Sequence, residues 1–122
     1  MVLSRLLAAF SCALLSAAAS ATAYSCVGKV DRVSAGPGGD VSASFTFETG
    51  SMHWQDVCRL HEDFEGIAPV ACKGVLAMLT TARMSGQRVE VWFDNQTPGQ
   101  CNATPWQRLK SLGWYWGPSV LQ

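Results

Sequence analysis

Five cysteines occur in this 122-residue chain, and four of them, Cys26, Cys58, Cys72 and Cys101, lie beyond its N-terminal segment. A thiolate can act as a nucleophile, four thiolates can hold zinc, and paired thiols can form disulfides. Structural zinc sites use C-x₂₋₄-C pairs, whereas 31, 13 and 28 residues separate these cysteines. The spacing therefore disfavours zinc, and the choice between free thiols and disulfides depends on the compartment.

The N-terminal 23 residues are typical of a secretory signal peptide. Arg5 precedes an apolar stretch at residues 6–15, and small residues end on Ala-Thr-Ala at 21–23. The apolar stretch is shorter than the ~20 residues that span a bilayer. We therefore expect cleavage near Ala23, a secreted or periplasmic protein and no membrane span, with Cys12 lost in the signal. In that compartment the four remaining cysteines form two disulfides, with three connectivities open.

Two histidines, His53 and His61, are the candidates for acid–base chemistry. His61 begins the acidic segment HEDFE at residues 61–65, and a histidine beside a carboxylate is a common proton-transfer pair. The segment has no further ligand at helical spacing and no nucleophile motif, so it is most simply a solvated loop. We predict no metal, no cofactor and no catalysis, with a small hydrolase using His53 and His61 as the alternative.

Tryptophans are the stronger candidates for ligand binding. In the alternating segment 88–94, Trp92 lies on the face of Arg88, opposite the apolar residues, where it could stack on a sugar or anchor an interface. The segment 50–56 is predicted to be a loop that exposes Met52, His53 and Trp54 together. The alternatives are that Trp92 packs beneath the helix or the tail, and that Trp54 plugs one end of the domain.

The C-terminal tail is aromatic and holds Trp114, Tyr115 and Trp116. Such a segment rarely stays in water. It either docks on its own domain or is buried in a neighbouring subunit. In the second case, Trp114, Tyr115 and Trp116 would form an oligomer interface.

The charge balance argues against nucleic acid as a partner. The chain has 9 basic and 9 acidic residues, and removal of Arg5 with the signal leaves one more acid than base. The basic residues are spread among acids, whereas proteins that bind phosphate backbones present a basic face.

The pattern of apolar residues predicts a mainly β domain with one helix. Clean alternation at 41–48 and 88–94 predicts two half-buried strands, and an apolar stripe between Pro69 and Gly86 predicts a helix. Further strands are predicted at 24–33, with a kink at Gly28, at 54–60 and around Cys101. The helix thus lies between strands 3 and 4 of a small five-stranded barrel, which is the order of an OB-fold. We expect one barrel domain at 24–110 and a Trp-rich tail at 111–122.

A family resemblance accompanies this order. The motifs that carry it are Cys26-x-Gly28-x-Val30, Val57-Cys58, residues 67–72 followed by Leu79-x-x-Ala82, Gly86, Val89-x-Val91, and Cys101 before Trp106. The chain resembles small secreted bacterial proteins similar to the B subunits of subtilase-type and pertussis-type AB5 toxins. The resemblance implies an OB-like barrel, a homo-pentamer, a glycan ligand and a toxin-like A subunit as partner, but it identifies none of the ligand-binding residues.

Within this framework we favour the pairs Cys58–Cys72 and Cys26–Cys101. The first joins the third strand to the start of the helix, and the second joins the opening strand to the closing one; the other two connectivities stay open. Our hypothesis is a secreted, disulfide-bonded binding module for a glycan or another host-surface ligand. The candidate ligand-binding residues are Trp92, Trp54, Met52, His53 and Arg88. The alternative is a secreted or periplasmic inhibitor of a hydrolase.

Overall fold

The computed structural model describes residues 23–94 and 101–122, so the predicted signal peptide lies almost entirely outside the described residues. The described part is mainly β, as predicted, with one α-helix between the third and fourth strands and a 3₁₀ turn at Leu109–Leu112. The elements are β1 (Ala23–Ala35), β2 (Asp40–Phe47), β3 (Gly50–Arg59), α1 (Pro69–Ser85), β4 (Val89–Asp94) and β5 (Trp114–Val120).

The five strands form one antiparallel sheet in the order β3-β2-β1-β4-β5. β1 serves both halves, because its first part pairs with β4, its second part pairs with β2, and Gly28 pairs with both. A Cβ at Gly28 would collide with the carbonyl oxygen of Thr46, so only glycine fits this close approach. The irregularity predicted at Gly28 lies slightly later, between Val30 and Arg32.

The segment 101–108 runs parallel to the outer edge of β3, and β3 and β5 do not pair directly within the described ranges. Bridges join Met52 to Ala103 and Asp56 to Arg108. These bridges connect the β3 edge to the segment that leads into β5, which completes an OB-like barrel.

The barrel interior holds the side chains that the sequence pattern places inward. The buried members on the two best-predicted strands are Val41, Ala43, Phe45 and Phe47 of β2 and Val89, Val91 and Phe93 of β4. Cys72, Leu79 and Ala82 of α1 close one side of this core. Alternation with period two in the strands and 3.6 in the helix accounts for this arrangement.

Both favoured disulfides are confirmed. Cys26 is bonded to Cys101 and Cys58 to Cys72, with Cα–Cα distances of 5.7 Å in each pair. The helix also has its predicted limits. It begins at Pro69, which lacks the N–H that a first turn leaves unpaired, and it ends at Gly86, whose φ of 70° suits glycine. Within the described ranges, no helix has the length and apolarity needed to cross a membrane.

Two predictions about elements are wrong. Residues 50–56 are not a loop, because β3 begins at Gly50 and places Met52 in the core with 1% of its surface exposed. The closing strand is not at Cys101 either, since β5 lies at Trp114–Val120, where Trp114 is 6% exposed. The barrel therefore extends beyond residue 110, and the predicted tail supplies one of its strands.

Candidate ligand-binding face

An aromatic stack stands on the outer surface near β3. The ring of Trp54, in β3, lies 5.5 Å from the ring of Trp106, centroid to centroid, with 18° between the planes. The guanidinium carbon of Arg32, in β1, lies 4.1 Å from the centroid of the Trp54 ring. Trp106 is 70% exposed, whereas Trp54 is half-buried. We call Trp54 and Trp106 the stacked pair.

A β-bulge places Trp54 in this position. Ala43 pairs with Gln55 and Phe45 with Met52, so two residues of β3, His53 and Trp54, lie opposite the single residue Ser44. The bulge gives Trp54 a φ of 54°, in the left-handed region that bulky residues rarely adopt. Its N–H donates a 2.8 Å hydrogen bond to the Ser44 hydroxyl oxygen, which anchors the bulge to β2.

The burial of Ser44 shows that this surface is covered. Alternation along β2 points Ser44 outward, yet only 5% of it is exposed. Arg32 is its register partner on β1, and Trp54 bonds to it from β3. The side chains of Arg32 and Trp54 therefore cover this outward-facing position.

Trp106 is also held in the left-handed region, with a φ of 66°. Its N–H donates to the carbonyl oxygen of Trp54 at 3.1 Å, and the N–H of Asp56 donates to the carbonyl oxygen of Gln107 at 2.8 Å. Such a backbone conformation costs about 1–3 kcal/mol and persists only where its surroundings determine it. These two bonds fix Trp106 beside β3.

Gln55 links the two halves of the stacked pair from inside the barrel. Its side chain is fully buried, and its amide nitrogen donates to the carbonyl oxygens of His53 at 2.8 Å and Thr104 at 2.9 Å. The first bond holds the bulge, and the second holds the segment that leads to Trp106. Gln55 therefore positions both tryptophans, although it contacts solvent nowhere.

The charges around the stacked pair are largely paired. Arg59 forms salt bridges with Asp40 and Asp56, and its hydrogen bond to Asp56 raises the pKa of its guanidinium. Arg108 is paired with Glu65. Arg32 forms no salt bridge within the part of the chain that the structure describes, so its N–H donors point to no carboxylate there.

The predicted ligand-binding residues do not form one site. His53 is exposed at the bulge next to Trp54, but Met52 points into the core and cannot contact a ligand. Trp92 and Arg88 lie on the other half of the sheet, because β1 and β2 separate β4 from β3. Arg88 forms a 2.8 Å ion pair with Glu48.

Trp92 belongs instead with the predicted interface residues. It is the register partner of Trp116 on β5, and its indole N–H donates to Glu90 at 3.2 Å. Trp116 is 65% and Tyr115 47% exposed, whereas Trp114 is buried in the core and cannot serve as an interface residue.

Two residues of the stack, Arg32 and Trp106, were missed as site residues. Trp106 follows Pro105 in an irregular segment after Cys101, and an aromatic residue in such a segment is a recognisable signal for binding. Arg32 carries no comparable signal, because its contact with Trp54 depends on the bulge two strands away.

Neither histidine belongs to a cluster of metal-ligating side chains among the described residues. His53 lies in β3 and His61 follows its end, where it packs against Gly39. No group of three or more metal-ligating side chains occurs within the described ranges.

The fold and this face define a small, disulfide-bonded OB-like barrel with a preformed aromatic surface. Comparisons with protein-family models, curated proteins and solved structures find no match to the chain. The resemblance to AB5 toxin B subunits therefore stays a prediction.

Proposed function

We propose that the protein is an exported, disulfide-bonded binding module that recognises a glycan through the stacked pair and Arg32. The observation that carries this proposal is that Trp106 presents an exposed ring while its backbone is held in the left-handed region. Backbone strain of this kind concentrates at functional sites.

The chemistry of the surface suits a sugar ring. One face of a pyranose is lined by C–H groups that can lie on an indole ring, while its hydroxyl groups need polar partners at the edge. Arg32 can supply donors at that edge, and exposed His53 adds a further polar group next to Trp54. Aromatic rings that are fixed before binding also lower the entropic cost of association.

The position of the surface agrees with the use of this fold. In OB-folds, oligosaccharides and oligonucleotides bind on the face of strands 2 and 3 and on the loops beside it. Trp54 lies in β3, and Trp106 lies in the segment that precedes β5. Because Arg59 and Arg108 are neutralised by carboxylates, the face lacks the excess positive charge that a nucleic acid requires. A ring ligand of low charge fits better than a polyanion.

Export and assembly belong to the same proposal. The signal peptide predicted at residues 1–23 supplies the route, and the two disulfides suit an oxidising compartment. Pentameric assembly and a toxin-like A subunit rest on the resemblance alone.

A glycan array tests the proposal. We expect the oxidised protein to bind a related set of glycans, and Trp106→Ala to lose that binding while Trp92→Ala keeps it. Trp92 is the matched control, because it is also an outward tryptophan but lies on β4. If no glycan binds while one hydrolase is captured and inhibited, the hydrolase-inhibitor alternative replaces the proposal.

A hydrolase that depends on His53 and His61 is tested separately. If the protein turned over a bound glycan and His53→Ala with His61→Ala abolished this turnover, the proposed binding module would be an enzyme.

A further inference from the structure

The outward tryptophans of β4 and β5 lie beside a carboxylate. Trp92 and Trp116 are register partners, so their side chains lie on the same face of the sheet. Glu90 precedes Trp92 by two residues on β4, and alternation places it on this face as well. Trp116 is 65% exposed, whereas Trp92 and Glu90 are half-buried. We call Trp92, Trp116 and Glu90 the acidic aromatic face.

Two neutral donors hold the carboxylate of Glu90 in place. The indole N–H of Trp92 donates to one of its oxygens, and the hydroxyl of Ser25 on β1 donates to the other, each at 3.2 Å. These bonds orient the carboxylate without cancelling its charge. A carboxylate oxygen can accept two hydrogen bonds, so each oxygen of Glu90 keeps one acceptor position for a further donor.

The basic side chains nearest in the fold are engaged elsewhere. Arg88, on the same strand, is paired with Glu48, and Lys110 donates to the carbonyl oxygen of Trp114 on β5. Among the described residues, no salt bridge includes Glu90. Its negative charge therefore has no partner in that part of the chain.

The rest of the chain does not supply this partner either. Residues 95–100 contain no basic residue, and Arg5, in the predicted signal peptide, is the only one before residue 23. The ammonium group created by the predicted cleavage would lie at the start of β1, beside Asp94, whereas Glu90 pairs with Val27 further along β1. A cation that neutralises Glu90 must come from another molecule.

The stacked pair differs in this respect, because the chain provides its cation. The guanidinium carbon of Arg32 lies 4.1 Å from the ring centroid of Trp54. Within the described ranges, guanidinium groups lie over the rings of Trp54 and Phe64 only. The faces of aromatic rings attract cations. The acidic aromatic face thus combines indole rings with a carboxylate, and it contains no cation of its own.

We propose that the acidic aromatic face binds an arginine side chain of a partner polypeptide. The guanidinium stacks on the exposed indole of Trp116, and its N–H groups donate to the remaining acceptor positions of Glu90. Arginine fits better than lysine, because a planar guanidinium both stacks on aromatic rings and pairs with the two oxygens of a carboxylate. The inference is independent of the glycan proposal, because the stacked pair contributes nothing to it.

Titration of the nitrogen-15-labelled, oxidised protein with the capped peptide Gly-Arg-Gly tests the proposal. We expect the indole N–H signals of Trp92 and Trp116 to shift and to saturate in the millimolar range, while those of Trp54 and Trp106 stay in place. The peptide with lysine in place of arginine should bind several-fold more weakly, and the peptide with glutamine should cause no shift.

Two variants, each with a matched control, test the residues. Glu90→Gln keeps an acceptor for Trp92 but removes the charge, and it should weaken binding of the arginine peptide about 10-fold. Glu62→Gln removes the same charge from the exposed loop after β3 and should bind like the parent. Trp116→Leu should lose the shift of Trp92, whereas Trp106→Leu removes a similarly exposed ring from the stacked pair and should keep it.

The absence of any shift at about 20 mM arginine peptide would overturn the proposal. So would an equal shift of Trp106, because it would show stacking on any exposed indole. Equal affinity for the lysine peptide would contradict the assignment to a guanidinium. If circular dichroism shows that one variant is unfolded, the other still decides, and unchanged affinity in a folded variant would overturn the proposal.

Discussion

Two pairs of tryptophans lie on the outside of the barrel, and they arise in different ways. Trp54 and Trp106 come from a bulge and an irregular segment, and both have left-handed backbones. Trp92 and Trp116 are register partners on adjacent strands. The second pair follows directly from antiparallel pairing, which brings opposite side chains together on one face. The first pair needs special backbone conformations, a buried glutamine and hydrogen bonds between distant segments.

The difference is in how each pair is held in place, and it makes the stacked pair the candidate for glycan binding. Trp92 satisfies its indole N–H with Glu90 and needs no ligand to explain its position. Trp106 is 70% exposed, and two backbone hydrogen bonds between β3 and residues 106–107 hold it in that position. Each prediction below disturbs one of these regions and leaves the other unchanged.

The largest effect is expected from removal of the disulfides. Replacing Cys26 and Cys101 with serine opens a link of sequence separation 75 and should cost about 4–5 kcal/mol of unfolding free energy. Replacing Cys58 and Cys72 opens one of separation 14 and should cost about 3 kcal/mol. Because Cys101 begins the segment that carries Trp106, only the first change should also weaken glycan binding. Denaturant unfolding measures the loss of stability in each variant, and glycan binding by the folded fraction measures the loss of affinity. Equal losses of affinity in the two variants would contradict the comparison.

Replacement of Gln55 by leucine should cost about 1–2 kcal/mol, because the carbonyl oxygens of His53 and Thr104 lose their donor. The change should also weaken glycan binding, since the bulge and the segment that leads to Trp106 lose their common anchor. Gln87→Leu, at an exposed position after α1, is the control and should change stability by about 0.5 kcal/mol or less. Glycan affinity that survives Gln55→Leu would show that Gln55 does not position the stacked pair.

Loss of the Arg32 guanidinium should have a smaller effect. Arg32→Ala removes a cation–π contact worth about 0.5–1 kcal/mol and should lower glycan affinity about 2- to 5-fold. Arg83→Ala removes an exposed arginine from α1 and should leave the affinity unchanged. Isothermal titration with the glycan selected on the array measures both, and identical affinities would remove Arg32 from the site.

The smallest effect concerns the ordinary packing beneath the β1–β4 pair. Tyr24 stacks on Phe93 with 5.6 Å between the ring centroids, and burial raises the pKa of the Tyr24 phenol. The folded state therefore favours the neutral phenol. The contribution of this phenol to the free energy of unfolding is fully present below its ordinary pKa of about 10. It is lost as the pH rises from there through the raised pKa. Tyr24→Phe should lose less stability than the parent above about pH 10, with glycan binding unchanged at neutral pH. Equal losses in alkaline denaturation would contradict this.

Much of the fold is local in origin and was predictable. α1 begins at Pro69 and ends before Gly86, and both residue types mark helix ends. The sequences of β2 and β4 alternate between apolar and polar residues without interruption. The two disulfide pairs were favoured, with the other connectivities open, once these elements were placed in barrel order, and the structure contains both. The C-terminal strand was missed because Gly117 and Pro118 interrupt its pattern, and both residues are unusual within a strand.

The candidate site was less predictable for a physical reason. Whether Trp54 points outward depends on a bulge, which is a property of two strands and not of β3 alone. The conformation of Trp106 depends on a hydrogen bond to a residue far away in the chain. Sequence patterns report periodicity within one element, so they identified Trp54 as a candidate but could not find its partners.

The central claim is that glycans contact the stacked pair and not the tryptophans of β4 and β5. The chain has five tryptophans, and each gives one indole N–H signal in a nitrogen-15 correlation spectrum. Titration with a glycan selected on the array should shift the signals of Trp54 and Trp106, assigned with Trp→Phe variants, while those of Trp92, Trp114 and Trp116 stay in place. Shifts concentrated on Trp92 and Trp116, with Trp106 unmoved, would contradict the account.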